Sequence, residues 1–254
     1  MERMRYIPLL LGAALAMATL AACDEGDIPP KTYEHQATGQ AIHLTGHLQG
    51  VGSWSDQYQV ALAAFGTNTT GSTGNYSMVQ RAIIPAMLDS EGNIDITLEN
   101  VVSPAATVEL CVTNLIRQRV VSFATLQLSD YTREETIEWN IGQMDLGIFT
   151  AIQDMVFNQF CVACHGSGGL AAGLSLKPED SYANLVRVPS SRVENGVRVI
   201  PNRASASVLY QVLNGRSTSR LNGIHGNIIQ NAQDVSSETL TNLITDWIND
   251  GAKP

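Results

Sequence analysis

The chain has 254 residues, a formal net charge of −9, and is 44% hydrophobic and 15% charged. That length and balance suit one large or two modest globular domains and exclude a disordered chain. The acidic excess, with no basic stripe, excludes nucleic acid as a partner.

Residues 1–22 begin with Arg3 and Arg5 and continue as an apolar run from Ile7 to Ala22, the pattern of a secretory signal peptide. The run is near the length of a membrane span, so an uncleaved anchor is the competing reading. Its end, Leu20-Ala21-Ala22-Cys23, resembles the lipobox of bacterial lipoproteins. That resemblance implies lipidation of Cys23 and attachment of the mature chain to a membrane of the cell envelope. The cluster Asp24-Glu25-Gly26-Asp27 resembles the surface-export signals of Bacteroidetes lipoproteins, which points to the outer membrane or cell surface. In an enterobacterium Asp24 would point to the inner membrane instead. Residues 23–31, with Pro29-Pro30, read as a lipid-anchored tether.

From residue 32 the chain alternates apolar and polar residues in short runs separated by turns. Strands are expected at Ala41 to Leu48, Tyr58 to Phe65, Val79 to Ile84, Asn93 to Val101, Thr107 to Ile116, Arg119 to Leu128 and Thr136 to Ile141. Thr67 to Asn75, rich in Gly, Thr, Asn and Ser, reads as a loop. Seven strands at this spacing predict a sandwich of two antiparallel sheets, of Ig-like or Greek-key type, over residues 32–141. His43 and His47 share a strand face about 13 Å apart. They cannot hold one metal ion without a bend at Gly46, and read as exposed polar positions. His35, near the tether, is uninformative. Cys111, inside a strand-like run, reads as a free buried cysteine.

From about Gly142 the periodicity turns helical. Ile148, Ile152, Met155, Val156 and Phe160 recur at three- and four-residue steps and lead into Cys161-Val162-Ala163-Cys164-His165. Two cysteines three apart, with a histidine after the second, is the spacing of c-type haem attachment. Two thiols on one helical turn can reach both vinyl groups of one porphyrin. The next side chain then meets the iron from the proximal side. Three other readings remain: a zinc site, which would need two more ligands; a dithiol redox site, which would expect a βαβ context; and a pair of buried structural cysteines. A glycine-rich stretch follows at Gly166 to Gly173. Short helices are expected from Glu179 to Leu185 and over Val208 to Leu213, capped by Ser205 or Ser207 and closed by Gly215. A last helix starts near Ser236, with Leu240, Leu243, Ile244, Trp247 and Ile248 as one apolar stripe.

This succession resembles a single-haem class I cytochrome c domain. Gly173-Leu174-Ser175-Leu176, Val199-Ile200-Pro201 with Ser207-Val208-Leu209-Tyr210, and Asp246-Trp247-Ile248-Asn249-Asp250-Gly251-Ala252 resemble the cytochrome c-like domains of Planctomycete and Bacteroidetes surface proteins. The resemblance covers about residues 145 to 254. It implies an all-α domain over 142–254 behind the all-β domain, one covalent haem c on Cys161 and Cys164, and His165 as the proximal iron ligand.

In the family the distal ligand is usually a methionine before a proline. This chain has no methionine after Met155, and Met144 and Met155 both precede the motif. Near the corresponding place it reads Leu221-Asn222-Gly223-Ile224-His225-Gly226-Asn227, expected as a flexible loop. His225 is the only histidine after the motif and is the candidate distal ligand. Asn222, water, a histidine from another molecule or an open position are the alternatives.

Charge is uneven along the chain. Residues 32–140 hold four basic and eleven acidic residues; residues 141–254 hold eight and nine. Six arginines (187, 192, 198, 203, 216 and 220) lie between 187 and 220, beside one acid, Glu194. Some could pair with haem propionates. Others could dock an acidic redox partner.

The expected function is a membrane-anchored, one-haem electron carrier of the cell envelope, ligated by His165 and His225, passing electrons to a redox partner protein. It reads as a carrier rather than a catalyst, because two filled axial positions leave no room for substrate. The competing classes are a haem enzyme or gas- or peroxide-binding protein with an open distal site, and a surface protein whose β domain recognises the partner.

Overall fold

The computed structural model describes residues 39–67, 77–85, 91–132, 135–166, 171, 173–226, 228–229 and 235–254. The signal 1–22, Cys23, the tether and His35 lie outside them. So does the Thr67 to Asn75 loop beyond Thr67. All described residues belong to one compact unit, Ala37–Pro254.

Seven strands form: β1 (Gln40–Gln49), β2 (Tyr58–Gly66), β3 (Met78–Ile83), β4 (Asn93–Val101), β5 (Ala105–Asn114), β6 (Arg119–Gln127) and β7 (Thr136–Asp145). They make two sheets, ordered β4-β1-β7 and β3-β2-β5-β6. Alternation decides which face is inside. Ile42 and Leu44 of β1, Ile94 and Leu98 of β4, and Val108, Leu110 and Val112 of β5 all point into one core. β2 is buried on both faces, because Ala63 and Phe65 join Cys111 in a second cluster. Cys111 is fully buried and free.

Two expectations are corrected. The sheets are not both antiparallel: β1 pairs in parallel with β7, Ile42 opposite Ile137 and Leu44 opposite Trp139. A parallel pair needs a long crossover in place of a hairpin, and the five intervening strands supply it. The β1–β7 register shifts between Thr45 and His47. Gly46 takes φ of 155° there, and a Cβ on it would lie 2.6 Å from Ile141 Cγ1.

The second correction concerns the C-terminal half, which is not an all-α cytochrome domain. Its helices are short: α1 (Ile148–Ile152), a π-helix (Gln153–Cys161), α2 (Val162–His165), α3 (Ser181–Leu185), α4 (Val208–Leu213), α5 (Ser219–His225) and α6 (Ser237–Asn249). Among the described residues only α6, with 13 residues, is long. Isolated bridges join Val186 to Val199, Pro189 to Val197 and Val197 to Ser207. The physical reason is local. Pro178, Pro189 and Pro201 remove amide donors, and Arg187, Asn195 and Asn202 turn the chain at positive φ. Helical patterning over five or six residues is too short to propagate a helix by itself. A further departure lies at His225, which ends a helix where a loop is expected.

The strands and helices are not separate bodies. β7 runs to Asp145, past residue 141, and leads straight into α1. Leu146 donates its backbone N–H to Gln49 O at 2.8 Å, and Trp54 Nε1 donates to Leu146 O at 2.7 Å. Ser53 Oγ accepts the Ile148 N–H at 2.9 Å. Gly50, at φ of 73°, permits this closeness: a Cβ there would stand 2.4 Å from Gly147 N.

α6 closes the unit. Ser236 caps it, accepting the Thr239 N–H at 3.1 Å. Its stripe Leu240, Leu243, Ile244, Trp247 and Ile248 is buried throughout, at about 2 kcal/mol for each large side chain. Trp247 meets Phe149 of α1 with ring centroids 5.0 Å apart. Among the described residues no helix is long and apolar enough to cross a membrane.

Candidate functional site

The cysteine pair sits where the π-helix passes into α2. Phe149, Gln153, Val156 and Phe160 follow helical spacing, and the inner ones pack on α6 and the surrounding core. In a π-helix the N–H of residue i+5 reaches the carbonyl of residue i, and such helices are rare and concentrated at functional sites. Here Val162 N–H reaches Phe157 O. The regular α-helical turn resumes at Val162, so Cys161 and Cys164 stand on one turn. Both are free thiols, Cys161 half-buried and Cys164 exposed. Burial, with Cys164 beside it, pushes the Cys161 thiol up to about 12.

His165 is held from behind. Its Nδ1 lies 3.3 Å from Leu174 O, and its own carbonyl accepts the Leu176 N–H at 2.8 Å. A carbonyl can only accept, so Nδ1 carries the proton and Nε2 keeps its lone pair. Burial, with His225 and Arg198 nearby, pulls His165 below its ordinary value and keeps the imidazole neutral, the form that ligates metal.

His225 comes from α5. Thr218 caps that helix through its hydroxyl, which accepts the Leu221 N–H at 3.4 Å. Asn222 is spent on the turn before it. Its Nδ2 donates to Gly215 O at 2.9 Å and to Ser217 O at 3.0 Å, and its Oδ1 accepts the Ser217 N–H at 3.0 Å. His225 Nδ1 lies 2.9 Å from Leu221 O, so its Nε2 is free as well.

The fold brings these two histidines together. Their ring centroids are 6.2 Å apart and their planes 22° apart. The rings are stacked; a metal–imidazole bond is about 2.0 Å and the nitrogen lies about 1 Å from the ring centre, so two imidazoles that each turned Nε2 to one shared ion would sit about 6 Å apart. Among the described residues no three His, Cys, Asp or Glu side chains converge as a metal site. A porphyrin provides four equatorial nitrogens and asks the protein for only two ligands. Two thiols on one turn and two imidazoles with free Nε2 fit that demand.

Other sequence candidates lie elsewhere. Met144 and Met155 pack against the core. His43 lies between Asp95 of β4 and Glu138 of β7, with Nε2 2.9 Å from Asp95 Oδ1 and Nδ1 2.6 Å from Glu138 Oε2. Of the six arginines, Arg198 is partly buried, donates to Asn184 O at 2.7 Å and acts on the charge of His165. Arg216 and Arg220 are exposed on the approach to His225.

Sequence reasoning missed the π-helix and the carbonyls that brace His165. One signal was present: Gln153 breaks the apolar series Phe149, Val156, Phe160 at a position that faces inward.

A cleft of about 560 Å³ lies away from the motif, lined by Tyr58, Asn114, Arg119, Glu238, Asn242 and Asp246 among others. Within it Tyr58 donates its hydroxyl to Asp246 Oδ2 at 2.5 Å.

No protein-family model, no curated protein and no solved structure matches this chain.

Proposed function

We propose that this protein is a one-haem c-type cytochrome that carries single electrons in the cell envelope. The observation that carries the reading is the pairing of His165, next to its two cysteines, with His225 at 6.2 Å. Cys161 and Cys164 are the thioether positions, His165 the proximal ligand and His225 the distal one. Haem c, when bound, supplies a one-electron iron couple.

The chain's own residues do the rest. Leu174 O and Leu221 O take the Nδ1 side of both imidazoles and leave Nε2 unprotonated, which makes each a stronger donor. Two imidazoles favour the ferric state relative to a His/Met pair, and so lower the reduction potential. Arg198 stands where its partly desolvated guanidinium can meet an acidic group beside His165. Ile224, 64% exposed, and the exposed Arg216 and Arg220 lie within ten residues of His225 in the chain and would suit an acidic redox partner. With His165 and His225 both holding the group, no side would be left for substrate, which favours electron transfer over catalysis. Lipidated Cys23 would hold the carrier at its membrane.

The test is the pyridine haemochrome spectrum of protein purified from an envelope fraction. One covalent haem per chain is expected. Protein without covalent haem would overturn the reading.

A further inference from the structure

Gln153 is a polar side chain in an apolar row. It is 5% exposed, and Ser181, which bonds to it, is fully buried. Burying an amide is unfavourable unless its hydrogen bonds are made inside. Here they are. Nε2 donates to Asn158 Oδ1 at 2.7 Å and to Leu176 O at 2.9 Å, and Oε1 accepts the Ser181 hydroxyl at 2.6 Å. The π-helix makes this possible, because it lays residues five apart over one another and so sets Asn158 against Gln153.

The bond to Leu176 is the one that reaches the site. Leu174, Ser175 and Leu176 run past the back of His165, and each of their carbonyls is used. Leu174 O accepts from His165 Nδ1 at 3.3 Å, Ser175 O accepts from Asn184 Nδ2 at 3.0 Å, and Leu176 O accepts from Gln153. The Leu176 N–H returns to His165 O at 2.8 Å. The contact to the ring is the longest of the set, so it is the one most sensitive to where the segment sits.

We propose that Gln153 is a positioning residue for His165: with Asn184, it fixes the Leu174–Leu176 segment so that Leu174 O keeps Nδ1 protonated and Nε2 free. The geometry stands by itself; its purpose rests on the reading of His165 as an iron ligand. Leucine or methionine would fill the same space and spare the fold a buried amide. Of the amide's three partners, Leu176 O alone belongs to the segment behind His165.

The experiment follows the His165 Nδ1–H proton by nitrogen-15 NMR in the full chain as purified, kept reduced. In the unaltered protein it should exchange slowly with solvent. Gln153→Met should speed its exchange about tenfold. Asn184→Ala should act in the same direction and serves if Gln153→Met does not fold. Ser181→Ala, which leaves the Leu176 bond in place, should change it less. Tyr58→Phe, a loss of one hydrogen bond away from the motif, should lower stability and leave the proton unchanged. If Gln153→Met or Asn184→Ala lowers stability but His165 Nδ1–H exchanges as before, Gln153 is a packing residue and the proposal is overturned. Haem content is read separately by absorbance. A responsive Nδ1–H in haem-free protein would sink the cytochrome reading and leave the role of Gln153 standing; an unresponsive one in haem-loaded protein would do the reverse.

Discussion

His165 and His225 stand with ring centroids 6.2 Å apart and planes 22° apart, although sixty residues separate them in the chain. Each presents Nε2, because a backbone carbonyl takes Nδ1. If one iron lies between them, the reduced protein has no open position and should not bind carbon monoxide promptly. His225→Ala should open that position and bind it stoichiometrically. His225→Met should raise the reduction potential, since thioether ligation favours ferrous iron. An unchanged ferric ligand-field spectrum in His225→Ala would remove His225 from the iron.

Tyr58 of β2 and Asp246 of α6 join the sheet to the last helix at 2.5 Å. Burial holds the Asp246 carboxyl above its ordinary value; the Tyr58 hydroxyl draws it back down, and Asp250 adds to the rise. A carboxyl raised in the folded state binds more protons there than in the unfolded chain. Stability therefore falls as pH rises from the unfolded value through the folded one. Asp246→Asn keeps an acceptor for Tyr58 and loses the charge. It should melt higher than the unaltered protein at about pH 7, with the difference vanishing below about pH 4, where the unfolded carboxyl is also protonated. Thermal melts at both values test this.

His43 lies between two carboxylates on the outer face of the three-stranded sheet. Hydrogen bonds to Asp95 and then to Glu138 raise it above its ordinary value. A histidine raised in the folded state contributes stability that is complete below its unfolded value of about 6.5 and is lost as pH rises through the folded one. His43→Gln should therefore lower the melting temperature at about pH 5.5 and leave it nearly unchanged at about pH 9. An equal loss at both values would mean that the ring, not its charge, supports the sheet.

Glu109 of β5 and Arg119 of β6 form a buried pair, with Nη1 3.0 Å from both carboxylate oxygens and the side chains only 3% and 9% exposed. Removing one partner strands a charge in the interior. Arg119→Met should cost about 3 kcal/mol in denaturant unfolding, and Glu109→Leu with Arg119→Met together should recover much of it. A double variant as unstable as the single one would show that Glu109 is not the source of the loss.

Much of the strand half was legible because alternation is a local signal. Asn93 to Val101 forms as expected, and Arg117-Gln118 lies in the β5–β6 turn, where Arg117 takes φ of 63°. The parallel partnership of β1 and β7 was not legible, because pairing between strands so distant in sequence has no local signature. The C-terminal half misled for the opposite reason. Its short helical patterns are real, at Ser181–Leu185 and Val208–Leu213 among others, but prolines and positive-φ turns break them before they can build helical layers.

By itself the sequence placed two cysteines three apart with a histidine after the second, because that is a matter of covalent order along the chain. It also left His225 as the one histidine after that motif, with no methionine beyond Met155. Only the tertiary structure decided that His225 stands beside His165, that Asn222 is committed to its own turn, and that a buried amide on a π-helix bonds to Leu176 O behind His165. Those relations depend on where carbonyls and rings meet across distant segments, and no spacing along the chain encodes them.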